Sequence, residues 1–113
     1  ESSAHQKFKQ TILDVKDGDT HLTLKELAPV RLVKNKFYEE VQKLYLENPS
    51  KEKLKELLGR ARAKKGMFEG DLENGELEIG QIAGIINEIK PVKEVFDDII
   101  EEFNSVKALI SSF

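Results

Sequence analysis

Apolar residues along this chain recur mostly at intervals of three and four. Ala4, Phe8, Ile12 and Val15 form one stripe and predict a helix over residues 4–16, stopped by the turn residues Lys16-Asp17-Gly18-Asp19. Thr20 to Leu24 alternates instead, with Leu22 and Leu24 on one face and His21 and Thr23 on the other, which predicts a short strand. Val30-Arg31-Leu32-Val33, after Pro29, reads as a second short strand or as the entry to the next helix. From Asn35 onward, Phe37, Val41 and Leu44 mark a buried stripe flanked by Tyr38 and Tyr45. Asn48-Pro49-Ser50 ends that helix, because a residue before proline is driven out of the α region. Ser50 is placed to cap the helix that follows. Leu54, Leu57, Leu58 and Ala61 then repeat at amphipathic spacing. Gly66 loosens the pattern, and "EGDLENGE" (69–76) is a loop with an Asn-Gly pair. A short helix around Gln81–Glu88 follows, and Lys90-Pro91 restarts the chain, Pro91 suiting a first helical position. Val92, Phe96, Ile99, Phe103, Val106 and Ile110 trace one stripe almost to the C-terminus. The expected fold class is mainly α with one or two short strands. The last helix is expected to bury Val92, Phe96, Ile99 and Phe103.

The length of 113 residues fits a single domain. Apolar residues make up 39% and charged residues 35%, enough for a modest core under a heavily solvated surface. Eighteen Lys and Arg stand against 21 Asp and Glu, a net charge of −3 with the signs interspersed, so a nucleic-acid footprint is absent. The cluster Arg60-Arg62-Lys64-Lys65 reads as a solvated helix face or end. There is no cysteine, which excludes disulfides and thiolate metal sites and suits a cytoplasmic setting. No apolar run approaches the length of a membrane span, and no signal peptide is visible. His5 and His21 have no partner at a metal-ligand spacing and are expected to be structural or solvated, so no metal site is expected. Asp97-Asp98 and Glu101-Glu102 lie opposite the apolar stripe, on its wet face. "GDLENG" lacks the ligand spacing of a calcium loop. No nucleophile elbow, phosphate loop or dinucleotide fingerprint appears, so no catalytic residue is assigned.

One stretch resists this plain reading: "GELEIGQIAGIINEIKP", residues 75–91. Isolated glycines at helical spacing cost about 1 kcal/mol each relative to alanine. Gly80, Ala83 and Gly84 would share a helix face without bulk, where another backbone or a flat ligand can come close. Gln81 adds a directed amide, and a helix start offers unpaired N–H groups. The residues leave two explanations open, tight helix packing and a ligand at the helix start.

The ordered segments "ESSAHQKFK" (1–9), "GDTHLTL" (18–24), "PVRLVKNKF" (29–37) and "AKKGMFEGDLENGELEIGQIAGII" (63–86), with the helix after them, resemble the C-terminal part of one family. It is the flavin-dependent barrel oxidoreductases that include enoyl-acyl-carrier-protein reductase II and the nitronate monooxygenases (2-nitropropane dioxygenases). The resemblance runs from residue 1 to about residue 103 and is greatest to the reductase branch. It implies the C-terminal helical segment of a flavin-binding (β/α)8 barrel enzyme, the barrel itself being absent. Residues 1–17 would follow the last barrel strand, 18–79 would form a helical insert with short strands, and 80–113 the closing helices. Glu1 in place of an initiating methionine fits a piece of a longer chain. The family's phosphate-binding glycine loops and catalytic histidine would lie upstream, so the chain alone is expected to be inactive.

Gly80 and Gln81 match the family's Gly-Gln beside the flavin and are the implied cofactor-binding residues. Reductases of this type tend to carry an apolar residue, often methionine, two positions before that glycine. Here Glu78 stands there, and a carboxylate changes the local electrostatics. The implied cofactor is FMN with NAD(P)H as reductant, and the implied substrate an enoyl thioester on acyl carrier protein. The alternative within the family is a nitronate substrate with oxygen. A rival of another class is a free-standing helical interaction module whose stripe from Val92 to Ile110 serves a partner helix. Without a barrel to cover them, the closing helices are expected to expose apolar surface or self-associate.

Overall fold

The computed structural model describes every residue from Glu1 to Phe113. In chain order it has helix α1 (Gln6–Asp14), strands β1 (Thr20–Thr23) and β2 (Val30–Val33), and helices α2 (Lys36–Tyr45), α3 (Lys51–Leu58) and α4 (Arg62–Met67). A 3-10 turn at Gln81–Ile85 and the long helix α5 (Val92–Ser111) complete it. The chain is therefore mainly α with one two-stranded sheet. No helix is long and apolar enough to cross a membrane.

Side chains cap three of the helices, at Ser50 as the sequence predicts and also at Asn35 and His5. Asn35 Oδ1 accepts from Tyr38 N at 2.9 Å at the head of α2, and Ser50 Oγ accepts from Lys53 N at 3.3 Å at the head of α3. His5 Nδ1 does the same for α1, accepting from Lys7 N at 3.1 Å. Each satisfies an amide the first helical turn leaves without a partner.

β1 and β2 pair antiparallel, with Thr20 opposite Val33 and Thr23 opposite Val30. A third extended segment lies along the other edge of β2. There Glu78 sits opposite Leu32, Val33 N donates to Leu77 O at 3.1 Å, and Ile79 N donates to Arg31 O at 3.2 Å. Alternation sends side chains to two sides of this small sheet. Leu32 joins Leu24, Phe37, Val41 and Leu54 in one core, and Leu77 and Ile79 join Phe8, Val15 and Ala83 in the other. Burying a side chain of this size stabilises by about 1.5–3 kcal/mol.

The alternation expected for β1 breaks at its end. Leu22 is exposed, whereas Thr20, Thr23 and Leu24 are buried. Leu24 lies past the strand at φ 53, and that left-handed turn swings its side chain into the core of Phe37. Such a conformation costs a non-glycine residue roughly 1–2 kcal/mol. Ala61, expected on the buried face of α3, is exposed and left-handed at φ 64, because the helix has already ended at Leu58. Gln81–Glu88 is shorter than the spacing predicts, helical only as the 3-10 turn to Ile85.

α5 departs from the expected burial of its stripe but has the exposed apolar surface expected of closing helices without a barrel. Val92, Phe96, Ile99 and Phe103, expected to be buried, are 51%, 61%, 58% and 64% exposed, and no residue after Ala83 is buried. Periodicity identifies the apolar face of a helix but not whether its own chain covers it. The radius of gyration, 17.8 Å, exceeds the ~13 Å of a compact domain this long. Polar contacts hold the base of α5: Val92 N donates to the Glu1 carboxylate at 2.9 Å, and Lys90 pairs with Asp98 and Glu88. The hydrogen bond to Asp98, then that to Glu88, holds the Lys90 ammonium above the usual lysine range.

Candidate functional site

The turn carrying Gly80 and Gln81 is anchored on both sides. Before it, Ile79 is buried and its N–H is bonded to Arg31 O. After it, Ala83 is buried against the core of Phe8 and Val15, and Ala83 N donates to Gly80 O at 3.1 Å. Gly84 abuts the turn after α1, where an added Cβ would come within 3.2 Å of Asp17 N. Between these anchors Gly80 and Gln81 are exposed. Gly80, at φ −69, precedes the 3-10 turn rather than sharing a helix face with Ala83 and Gly84. A Cβ built on Gly80 meets nothing within 4 Å. The amides of Gly80, Gln81 and Ile82 have no backbone acceptor. Gly80 thus makes no close packing contact within the chain, and Gly84 does.

The tightest glycine contact lies elsewhere. A Cβ on Gly75 would fall 2.4 Å from Gly66 Cα, and one on Gly66 would fall 2.7 Å from Leu77 Cδ2. Here α4 presses on the "ENG" turn backbone to backbone, which only glycine permits. Two side chains clamp the turn. Asn35 Nδ2 donates to Leu72 O at 2.9 Å and Gly75 O at 2.8 Å. Arg62 Nη1 donates to Asn74 O at 2.9 Å, and its guanidinium lies 4.9 Å from the Phe37 ring centroid. Arg62, expected in a solvated basic cluster, is therefore a structural clamp. Its partners lie too far along the chain to be legible in the sequence. Within the turn, the Asn74 backbone hydrogen bond holds the Asp71 carboxyl below the usual carboxylate range.

Two carboxylates share one face of the extended segment that leads to Gly80. Glu78 is exposed, and Glu76, two residues earlier, is only 7% exposed. Burial, then the charge of Glu78, pushes the Glu76 carboxyl up to about 6, against the pull of Arg62. On the far side of the sheet, Tyr45 Oη donates to the Glu26 carboxylate at 2.6 Å. That bond holds Glu26 below its usual range, while burial, then the bond itself, raises the Tyr45 phenol. His21 packs edge-on against Tyr38, with centroids 5.8 Å apart, and His5 caps α1, so both imidazoles have structural work. No group of three or more His, Cys, Asp or Glu side chains is placed to hold a metal ion.

No model of a known protein family matches the chain, and neither does any curated protein. Solved structures do. FabK from Thermotoga maritima superposes with a TM-score of 0.83 at 35% identity over 97% of this chain. The M276A mutant of the same protein superposes with a TM-score of 0.77 at 31% identity over 99% of this chain. The matches take in 35% and 33% of those chains, so this chain spans about a third of FabK's length.

Proposed function

We propose that this chain is the C-terminal helical segment of an FMN-dependent oxidoreductase, an enoyl-acyl-carrier-protein reductase II, and that Gly80 and Gln81 meet the flavin in the whole enzyme. The observation that carries this reading is the match to FabK, a reductase of that type, along nearly the whole of this chain. It agrees with the ordered motifs of the sequence, which resemble the same branch.

The residues fit a flavin. Gly80 leaves free the space a side chain would fill, so a flat ring edge can approach the backbone there. Three successive amides without backbone acceptors and the exposed Gln81 carboxamide offer directed donors beside that space. When bound, FMN supplies the hydride chemistry, and the protein supplies binding, orientation and electrostatics. Ile79 and Ala83 hold the turn rigid from either side, so its donors are pre-positioned. Glu78, exposed just before the turn, adds a negative charge that opposes the build-up of electron density nearby. The uncovered stripe of α5 and an apolar hollow of about 300 Å³ between Ala4, Phe8, Ile12, Met67, Ile89 and Val92 are surfaces that further protein can cover.

The test is to assay the full-length parent with crotonyl thioester and NAD(P)H, and separately with alkyl nitronates and oxygen. Flavin-dependent reduction of the thioester, without nitronate oxidation, is the expected result. Nitronate oxidation alone, or a parent that binds no flavin, overturns the assignment.

A further inference from the structure

The turn pressed against α4 holds the chain's one Asn-Gly pair, Asn74-Gly75. Gly75 has to be glycine, since a Cβ there would lie 2.4 Å from both the Cα and the N of Gly66. Asn74 serves the turn through Asp71. Its backbone N donates to Asp71 Oδ1 at 2.9 Å, and its Nδ2 lies 3.3 Å from both carboxylate oxygens. The packing thus sets side by side two residues able to react with each other. Glycine puts no side chain between its own nitrogen and the preceding carboxamide, and it lets the peptide turn freely. We propose that Asn74 is a site of covalent modification by deamidation, and that Asp71 is the residue that holds the reaction off in the folded chain. The flavin reading concerns other residues, and neither depends on the other.

In the reaction the Gly75 backbone nitrogen gives its proton to solvent and attacks Asn74 Cγ. An N–Cγ bond forms, the Cγ–Nδ2 bond breaks, and Nδ2 takes up a proton and leaves as ammonia. Water then opens the succinimide ring, at Cγ to give aspartate or at the backbone carbon to give isoaspartate. Water is the only co-reactant, and nothing is oxidised or reduced. The first step puts negative charge on the Asn74–Gly75 peptide, whose oxygen accepts from the Arg62 guanidinium at 2.9 Å. A cationic donor there favours the charge as it develops, so the restraint comes from elsewhere. Asp71 supplies it twice. Its carbonyl oxygen accepts from Gly75 N at 3.0 Å, engaging the nucleophile's proton, and its carboxylate holds the carboxamide. Asp71 is itself fixed to α4, its N donating to Lys65 O at 3.0 Å. Reaction therefore waits on local opening of the turn, and its rate is scaled down by the fraction of time spent open. Isoaspartate adds a methylene to the backbone where Gly75 already touches Gly66, so the modified turn cannot redock against α4.

The test incubates the full-length parent at mildly alkaline pH and follows Asn74 by peptide mass spectrometry, as replacement of NH by O and as isoaspartate. We expect the folded protein to deamidate there about a hundredfold or more slowly than the same protein unfolded in urea. Asp71→Ala should speed the folded reaction at least about tenfold, the effect of losing hydrogen bonds to a charged acceptor. Ser50→Ala removes the α3 cap and leaves the turn intact, so it separates this effect from a general loss of stability and should leave the rate unchanged. Refolding yield of Asp71→Ala should fall in step with the isoaspartate it accumulates. Asn74→Gln in the same background should keep its yield, because the longer side chain closes a larger ring far more slowly. Equal rates at Asn74 in the folded and the urea-unfolded parent overturn the proposal. An Asp71→Ala rate no faster than that of Ser50→Ala overturns it too, as does full refolding of protein that carries isoaspartate.

Discussion

Replacing Gly75 by alanine is expected to be among the most damaging single-methyl changes in this chain. The added Cβ would sit 2.4 Å from both Gly66 Cα and Gly66 N, and 2.5 Å from Asp71 O. Carbon contacts are comfortable near 3.5–4.0 Å, so α4 and the turn must separate by about 1 Å or more. That movement pulls against fixed bonds. Asn35 and Arg62 hold the turn at Leu72, Asn74 and Gly75, and Glu76 N donates to Arg62 O at 3.0 Å. Overpacking that only backbone movement can relieve costs about 3 kcal/mol, at the upper end of the usual range. For a chain of this length the unfolding entropy converts that to a fall in Tm of about 10–15 °C. Gly80→Ala is the matched control, since its Cβ meets nothing within 4 Å and its φ of −69 suits any residue. It should melt unchanged or a few degrees higher, because alanine narrows the unfolded ensemble by about 0.4–1 kcal/mol. Thermal unfolding followed by far-ultraviolet circular dichroism measures both variants. If Gly75→Ala melts within 2 °C of the parent, or Gly80→Ala falls as far, close approach is not what these glycines differ in.

Glu76 gives the chain a pH dependence of defined sign. Its carboxyl is raised from an ordinary 4.5 to about 6, so the folded state favours the protonated form. The penalty is absent below about 4.5, grows as pH rises, and is complete above about 6, where it amounts to about 2 kcal/mol. Glu76→Gln should remove that loss, so urea midpoints of the two proteins should converge near pH 4 and separate by pH 7, with the variant the more stable. Equal midpoints at pH 7 would show the carboxylate to be better solvated than its burial implies. Asn35→Ala removes the α2 cap and both amide bonds to the turn, and should cost about 2–3 kcal/mol in the same denaturation. A loss below 0.5 kcal/mol would mean that water replaces all three.

What the sequence made legible was what is local. The cap at Ser50, and the strand that is one of the two readings of Val30–Val33, each depend on neighbours a few residues away. The long-range features stayed hidden. Gly66 looked like a break in a helix because its reason for being glycine, the backbone of Gly75, is brought to it only by the fold. Arg62 looked solvated because one of the carbonyls it holds, Asn74 O, belongs to a turn twelve residues on, and the Phe37 ring it covers lies on another helix. Leu22 was misplaced because a left-handed Leu24 ends the alternation, and backbone handedness does not show in a hydropathy pattern. α5 is the helix its periodicity predicts, and of the two expectations for its apolar face, burial within the chain and exposure for want of a barrel, the structure has exposure. At the candidate site the pattern marked Gly80 and Gln81 but could not separate packing from ligand approach. Within this chain the fold gives a packing role to Gly84 and none to Gly80.

Gly80→Val in the full-length parent therefore tests the central claim most directly, with the FMN dissociation constant and the Tm of the flavin-free protein measured on the same samples. A Cβ at Gly80 meets nothing within 4 Å in this chain, so the apo Tm should stay within about 2 °C of the parent's. If flavin occupies that room, its dissociation constant should rise about tenfold or more, the effect of ~1–3 kcal/mol of crowding against the ring edge. Unchanged FMN affinity beside a large drop in apo Tm would contradict the claim and show the turn to be packing alone.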